Sequence, residues 1–126
     1  AYDMLNALNT GHVGYTTVHS NGPIQTLTRL ETMTLMAVDM PTMAIRQTIL
    51  AALNIIIHTS RMKDGSRKIT NISELQSIQD GEIVLKDILV YSHDKGHLDP
   101  TSIVPKFIEK LELEGVKLPN RFKGVV

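Results

Sequence analysis

The apolar positions of the chain change their period once, near Asn54. Before that point they recur every three or four residues, as on a helix; after it they cluster in β-branched runs or alternate with polar residues. Tyr2, Leu5 and Leu8 sit at helical spacing with Met4 and Ala7 beside them, which predicts a helix over residues 1–9. Gly11 is placed to end it, since glycine accepts a left-handed backbone at no side-chain cost. Gly14-Tyr15-Thr16-Thr17-Val18-His19-Ser20 is dominated by threonine, tyrosine and valine and reads as a short strand, broken by Asn21-Gly22-Pro23. Leu27, Leu30, Met33 and Ala37 stripe a second helix over 24–38, with Thr34 on the same face. A third helix over 42–53 follows Pro41, which suits a first-turn position, and its buried side is predicted to hold Met43, Ile45, Ile49, Leu50 and Leu53.

From Ile55 the pattern is that of strands. Ile55-Ile56-Ile57-His58-Thr59 reads as a buried strand, and Asp64-Gly65 is a strong hairpin signal. A second strand lies within 67–75, Asp80-Gly81 marks another turn, and 82–91 forms a third strand. The result is a three-stranded antiparallel meander. Residues 92–101 read as a polar loop, a short helix runs from Val104 to about Leu113, and Gly115 closes it. The chain thus divides into helices (1–53), meander (54–91) and C-terminal helix with a peripheral tail (92–126).

Composition narrows the class. At 126 residues the chain suits one domain with a modest core. It starts at Ala1 inside a helical pattern with no signal peptide, so a fragment of a longer protein is expected. With no cysteine, disulfides and cysteine-ligated zinc are out of reach, and no metal site is expected. The longest apolar run, Ile49 to Ile57, is roughly half a membrane span and is interrupted by Asn54, so a soluble, intracellular domain is expected. Thirteen basic side chains balance thirteen acidic ones; the one local basic cluster is Arg61, Lys63, Arg67 and Lys68, with Asp64 inside it. Balanced charge and few aromatics argue against direct nucleic-acid binding.

The chemistry concentrates in residues 9–21, Asn-Thr-Gly-His-Val-Gly-Tyr-Thr-Thr-Val-His-Ser-Asn. His12 lies at a helix-to-strand turn flanked by Gly11 and Gly14, and Thr16, Thr17 and His19 follow along the expected strand. Imidazole and hydroxyl donors at the end of a strand in an α/β domain face the crevice where ligands bind. There they suit phosphate oxygens, and a neutral histidine could sense a phosphate without carrying a full charge. Alternatively, His12 and His19 simply satisfy buried backbone groups at the turn.

The run Thr-Gly-His-x-Gly-x-Thr-Thr-x-His-Ser-Asn closely resembles the histidine box of the type II/IV secretion ATPase superfamily. The resemblance extends along residues 1–122. Asp3 to Asn9 looks like the helix after the Walker B strand, Thr28-Arg29-Leu30-Glu31-Thr32-Met33 like the Arg-Leu-Glu helix, and Ala44-Ile45-Arg46-Gln47 like the Ile-Arg-Glu/Gln helix. Ser60 to Lys68 resembles the Arg-x-x-Asp-Gly-Ser-Arg hairpin of the Tad/Flp pilus-assembly branch, and Phe107 and Leu118-Pro119-x-x-Phe122 fit its C-terminus.

This resemblance implies an α/β fold, the C-terminal part of a RecA-like P-loop NTPase domain with an antiparallel meander and a C-terminal helix. It implies a hexameric motor, peripheral to the inner membrane, that hydrolyses ATP with Mg2+ and works with platform proteins in pilus assembly or secretion. His12 and His19 would lie near the terminal phosphate, with Thr17 and Asn21 as supporting contacts. Arg46 would act as a cation across a subunit boundary, or simply be a helix-surface arginine. No G-x-x-x-x-G-K-[ST] loop and no Walker B strand occur in these residues, so this chain alone is expected neither to bind ATP tightly nor to hydrolyse it. Two other readings remain open: a subunit-docking or platform-binding module, and a part of a conjugative DNA-transfer ATPase. Outside this region, His93, Asp94, His97 and Asp99 have ligand-type side chains but read as a solvated turn, and His58 reads as a satisfied core histidine.

Overall fold

The computed structural model describes residues 1–120; Phe122 lies outside them. The elements are α1 (Tyr2–Asn9), α2 (Pro23–Ala37), α3 (Thr42–Ala52), β1 (Ile55–Arg61), β2 (Arg67–Gln79), β3 (Glu82–Ser92), β4 (His97–Pro100) and α4 (Ile108–Leu113). The fold is mixed α/β, with one four-stranded antiparallel sheet in the order β1-β2-β3-β4. By internal contacts the chain forms two units, one of Ala1–Ile56 with Leu75–Leu85, the other of Ile57–Glu74 with the residues from Lys86 onward.

In the first unit α1, α2 and α3 pack against one another. Leu5, Leu27, Leu30, Ile45, Ile49, Ile56 and Leu75 form its core. Each fully buried aliphatic side chain contributes about 1.5–3 kcal/mol. Thr34 is buried among them without penalty because its hydroxyl donates to Leu30 O at 2.8 Å, within the same helix. The stripe on α3 is narrower than expected: Met43 is exposed, with its methyl over Gly81, while Leu50 and Leu53 pack at the margin. Pro41 caps α3 in an extended conformation (ψ 141°) and does not enter its first turn.

Two Asp-Gly turns carry the sheet, with different geometry. Asp80 (φ 51°) and Gly81 (φ 80°) both take positive φ, which a two-residue hairpin loop requires to match the twist of its strands. Around Asp64, Gly65 N–H donates to Met62 O and Met62 N–H donates to Ser66 O, and Gly65 takes the left-handed conformation (φ 86°). Asp64 Oδ1 accepts from both the amide and the hydroxyl of Ser66, at 2.9 and 2.6 Å. These bonds, and after them the charge of Lys68, hold the Asp64 carboxyl below its ordinary range.

Four expectations need correction. Residues 14–20 form no strand, because β-propensity becomes a strand only beside a partner ladder and every strand among the described residues lies beyond residue 54. Ile55 to Thr59 is a strand buried on one face only: Ile56 is buried and Ile57 is 58% exposed. The polar loop over 92–101 contains a fourth strand, with Ser92 opposite His97 and Tyr91 opposite Leu98, because Gly96 (φ 74°) lets the chain turn back. The last helix starts at Ile108, four residues late, since Pro105 lies in a turn whose following amides are held by Glu74. Glu74 is 3% exposed, and its carboxylate accepts from Lys106 N at 2.8 Å and Phe107 N at 3.3 Å.

Candidate functional site

The candidate site is the run between α1 and α2. Helix α1 ends at Asn9, and Gly11 (φ 94°) follows in the left-handed conformation. That turn brings His12 N–H back to Ala7 O at 3.3 Å, the six-to-one closure of a glycine-terminated helix. The imidazole returns to the same atom, with His12 Nδ1 3.2 Å from Ala7 O. Thr10 adds its hydroxyl, which donates to Ala7 O at 3.0 Å and lies 3.4 Å from His12 Nδ1. One half of the bland alternative therefore holds for His12: its backbone and one ring nitrogen cap a helix.

Beyond the cap the chain runs out into solvent. His12, Val13, Gly14, Tyr15, Thr16, Thr17, His19 and Asn21 are all exposed, Tyr15 completely so. Val18 alone turns in, against the helical core. The run is tied down again at Ser20, whose hydroxyl shares a 2.6 Å hydrogen bond with Thr26 Oγ1, one hydroxyl donating to the other and the second donating to Gly22 O. Gly22 caps α2 and Pro23 occupies its first turn, where a missing amide proton costs nothing. The side chains of Thr17, His19 and Asn21 have no hydrogen-bond partner among the described residues. The result is a run anchored at both ends that offers imidazole, hydroxyl and amide groups outward. These can donate to the oxygens of an anion.

Arg46 belongs to a different constellation. Its Nε donates to Glu31 Oε2 at 3.0 Å and its Nη2 to Glu31 Oε1 at 3.3 Å, while Nη1 donates to Gly81 O at 2.7 Å and to Glu82 Oε1 at 3.1 Å. The hydrogen bond to Glu31 first, opposed by burial and helped by the charges of Glu31 and Glu82, holds the guanidinium above its ordinary range. No hydrogen bond or ion pair among the described residues joins Arg46 to His12, Thr17, His19 or Asn21. Beside the clamp lies a cavity of about 340 Å³ with Ile24, Leu27, Ile83 and Leu85 in its walls and Glu31, Arg46 and Glu82 at its polar end. Sequence reasoning placed Glu31 and Arg46 on their helices but did not pair them, because a separation of fifteen residues carries no periodic signal.

The remaining histidines have local partners. His58 Nδ1 lies 3.0 Å from Thr70 Oγ1 across the β1–β2 hairpin. His93 meets Tyr91 edge-on at 5.2 Å. His97 lies 3.3 Å from Asp99, which also pairs with Lys95 at 2.9 Å. The bond from Lys95, and then its charge and that of His97, hold Asp99 below the usual carboxylate range. No group of three or more histidine or acidic side chains among the described residues is placed to hold a metal ion, and no described helix is long and apolar enough to cross a membrane.

Comparison with known proteins adds an independent line. Residues 1–94 match the family model described as Type II/IV secretion system protein, a stretch that includes α1 to α3, the histidine run and strands β1 to β3. Two curated proteins from two strains of Mycobacterium tuberculosis, both provisionally named conjugal transfer proteins, are each 31% identical over 98 residues. Those residues are 77% of this chain and 27% of each relative, so the chain spans about a quarter of the length of the curated relatives it matches.

Proposed function

The chain belongs to the type II/IV secretion system protein family, whose members are ATPases, and on that premise we propose that it is part of an ATP-hydrolysing motor that powers pilus assembly or secretion. The observation that carries the reading is the exposed run from His12 to Asn21, which presents donor side chains between two firmly capped helix ends. In the whole protein His12 and His19 face the terminal phosphate of ATP, and Thr17 and Asn21 support them.

The work is divided within the protein. Residues 1–126 contain no G-x-x-x-x-G-K-[ST] sequence, so the backbone cradle, the phosphate lysine and the Mg2+ site are assigned to other segments of the longer protein. The share of this chain is to register the phosphate and to pass its presence to the helices. Arg46 fits that share as the brace of α2 and α3: all three of its nitrogens are engaged by Glu31, Gly81 and Glu82, and a role across a subunit boundary would require their release. The full motor is hexameric, peripheral to the inner membrane, and coupled to platform proteins.

The test is ATP turnover by the full-length protein. Replacing His12 or His19 with alanine is expected to lower kcat on the order of 10²-fold, the usual worth of one positioned donor. Unchanged turnover in both variants would refute the assignment. The isolated 126-residue chain should show no turnover, and detectable hydrolysis by it would remove the proposed division of labour. The names of the mycobacterial relatives favour a second reading, in which the motor moves DNA. Loss of plasmid transfer with intact pili in a deletion strain would select it; loss of pili alone would select the first.

A further inference from the structure

We infer that His12 recognises a phosphate only as the imidazolium, because Ala7 decides which of its ring nitrogens carries the proton. The inference rests on the reading above that His12 faces the terminal phosphate, and it sharpens that reading. A carbonyl oxygen can only accept, so an atom held 3.2 Å from Ala7 O must be a donor. Nδ1 therefore carries the hydrogen. The nearby Thr10 hydroxyl agrees: it spends its own proton on Ala7 O at 3.0 Å and turns a lone pair toward Nδ1 at 3.4 Å.

The consequence falls on Nε2, the nitrogen left for a ligand on this exposed ring. In the neutral ring it holds a lone pair, which repels a phosphate oxygen. It becomes a donor only when a second proton is bound. His19 differs, since no partner constrains its ring among the described residues and its neutral form can donate from Nε2. The two histidines of the run thus differ in chemistry, one able to bind an anion while uncharged and the other obliged to take up a proton.

The surroundings leave this control to the ligand. Among the described residues the partners of the His12 ring, Ala7 O and Thr10 Oγ1, are both uncharged. The titratable groups on α1 are Tyr2 and Asp3, in its first turn at the far end from His12. On α3, which packs against α1, the one charged residue is Arg46, and Glu31 and Glu82 hold it; on α2, which also packs against α1, the charged residues are Arg29 and Glu31. An arriving phosphate is then the charge that draws the second proton onto Nε2. Binding is strongest where the imidazole is already protonated and weakens as pH rises.

The full-length protein with 15N-labelled histidine provides the test, with His12→Gln identifying the signal. Without ligand at alkaline pH, His12 should show a protonated Nδ1 and a bare Nε2; a protonated Nε2 in the neutral ring would overturn the inference. With a non-hydrolysable ATP analogue both nitrogens should be protonated, and calorimetry in two buffers of different ionisation enthalpy should find about one proton taken up per site. Affinity should fall as pH rises, by up to about tenfold per pH unit. His12→Gln, whose amide donates from the Nε2 position without a charge, should flatten that slope. A pH-independent affinity that still collapses in His12→Ala would overturn this inference and leave the phosphate assignment standing. An affinity indifferent to His12→Ala would bring down both.

Discussion

Arg46 grips Glu31 with two nitrogens, Nε at 3.0 Å and Nη2 at 3.3 Å, and gives its third to Gly81 O and Glu82. The fork ties α2 to α3 and to the β2–β3 turn inside one unit. Lysine keeps the charge but cannot form the fork. Arg46→Lys is therefore expected to lower the melting temperature, and Glu31→Gln to lower it similarly. The double variant should lose clearly less than the sum, since both remove one interaction. Additive losses in a double-mutant cycle by denaturant unfolding would show that the pair is not coupled.

Glu74 is buried at 3% exposure, and its carboxylate holds the amides of Lys106 and Phe107. Truncation leaves those amides without their charged acceptor. Glu74→Ala should cost about 1–3 kcal/mol. The loss should be local, with faster amide exchange over residues 106–113 and little change in α1 to α3. Uniform acceleration across both units would contradict it.

Gly11 stands at φ 94° with open space where a Cβ would be. The cost of a side chain there is purely one of backbone conformation. Gly11→Ala should destabilise by about 1–2 kcal/mol. It should also expose the His12 amide, which the turn aims at Ala7 O. An urea titration with amide exchange at His12 measures both, and a neutral result would mean that the helix end has another route to closure.

The Asp64 turn should loosen in acid. Hydrogen bonds from Ser66 lower the Asp64 pKa from its ordinary 3.8. A lowered folded value means that the contribution is complete above the unfolded value and is lost as pH falls through the folded one. The Ser66 amide resonance should thus hold steady through neutral pH and shift only below about pH 4, the ordinary carboxylate range. In Asp64→Asn that transition should vanish; its persistence would assign the titration to another group.

The helices were legible because their information is local. Leu27 and Leu30, and Ile45 and Ile49, recur at spacings that only a helix brings to one side, and Gly11 and Gly65 mark positions where only glycine turns cheaply. The run from Gly14 to Ser20 misled for the opposite reason. Its threonines and valine fit a strand, but a strand is a relation between two segments, and none in these residues pairs with it. His97 to Pro100 misled in the other direction, with polar residues drawn into the sheet because β3 offered an open edge.

The candidate site divides along the same line. Sequence by itself determined which groups are present: the imidazoles of His12 and His19, the donors of Thr17 and Asn21, and the glycines that flank them, each a property of one residue and its near neighbours. Only the tertiary structure decided what those groups can do. It paired Arg46 with a carboxylate fifteen residues away and left His19 unconstrained. It also turned the His12 ring onto Ala7 O, with Nδ1 at 3.2 Å. Hydrogen bonds depend on distances of a few tenths of an ångström between atoms, and those distances exist only once the chain has folded.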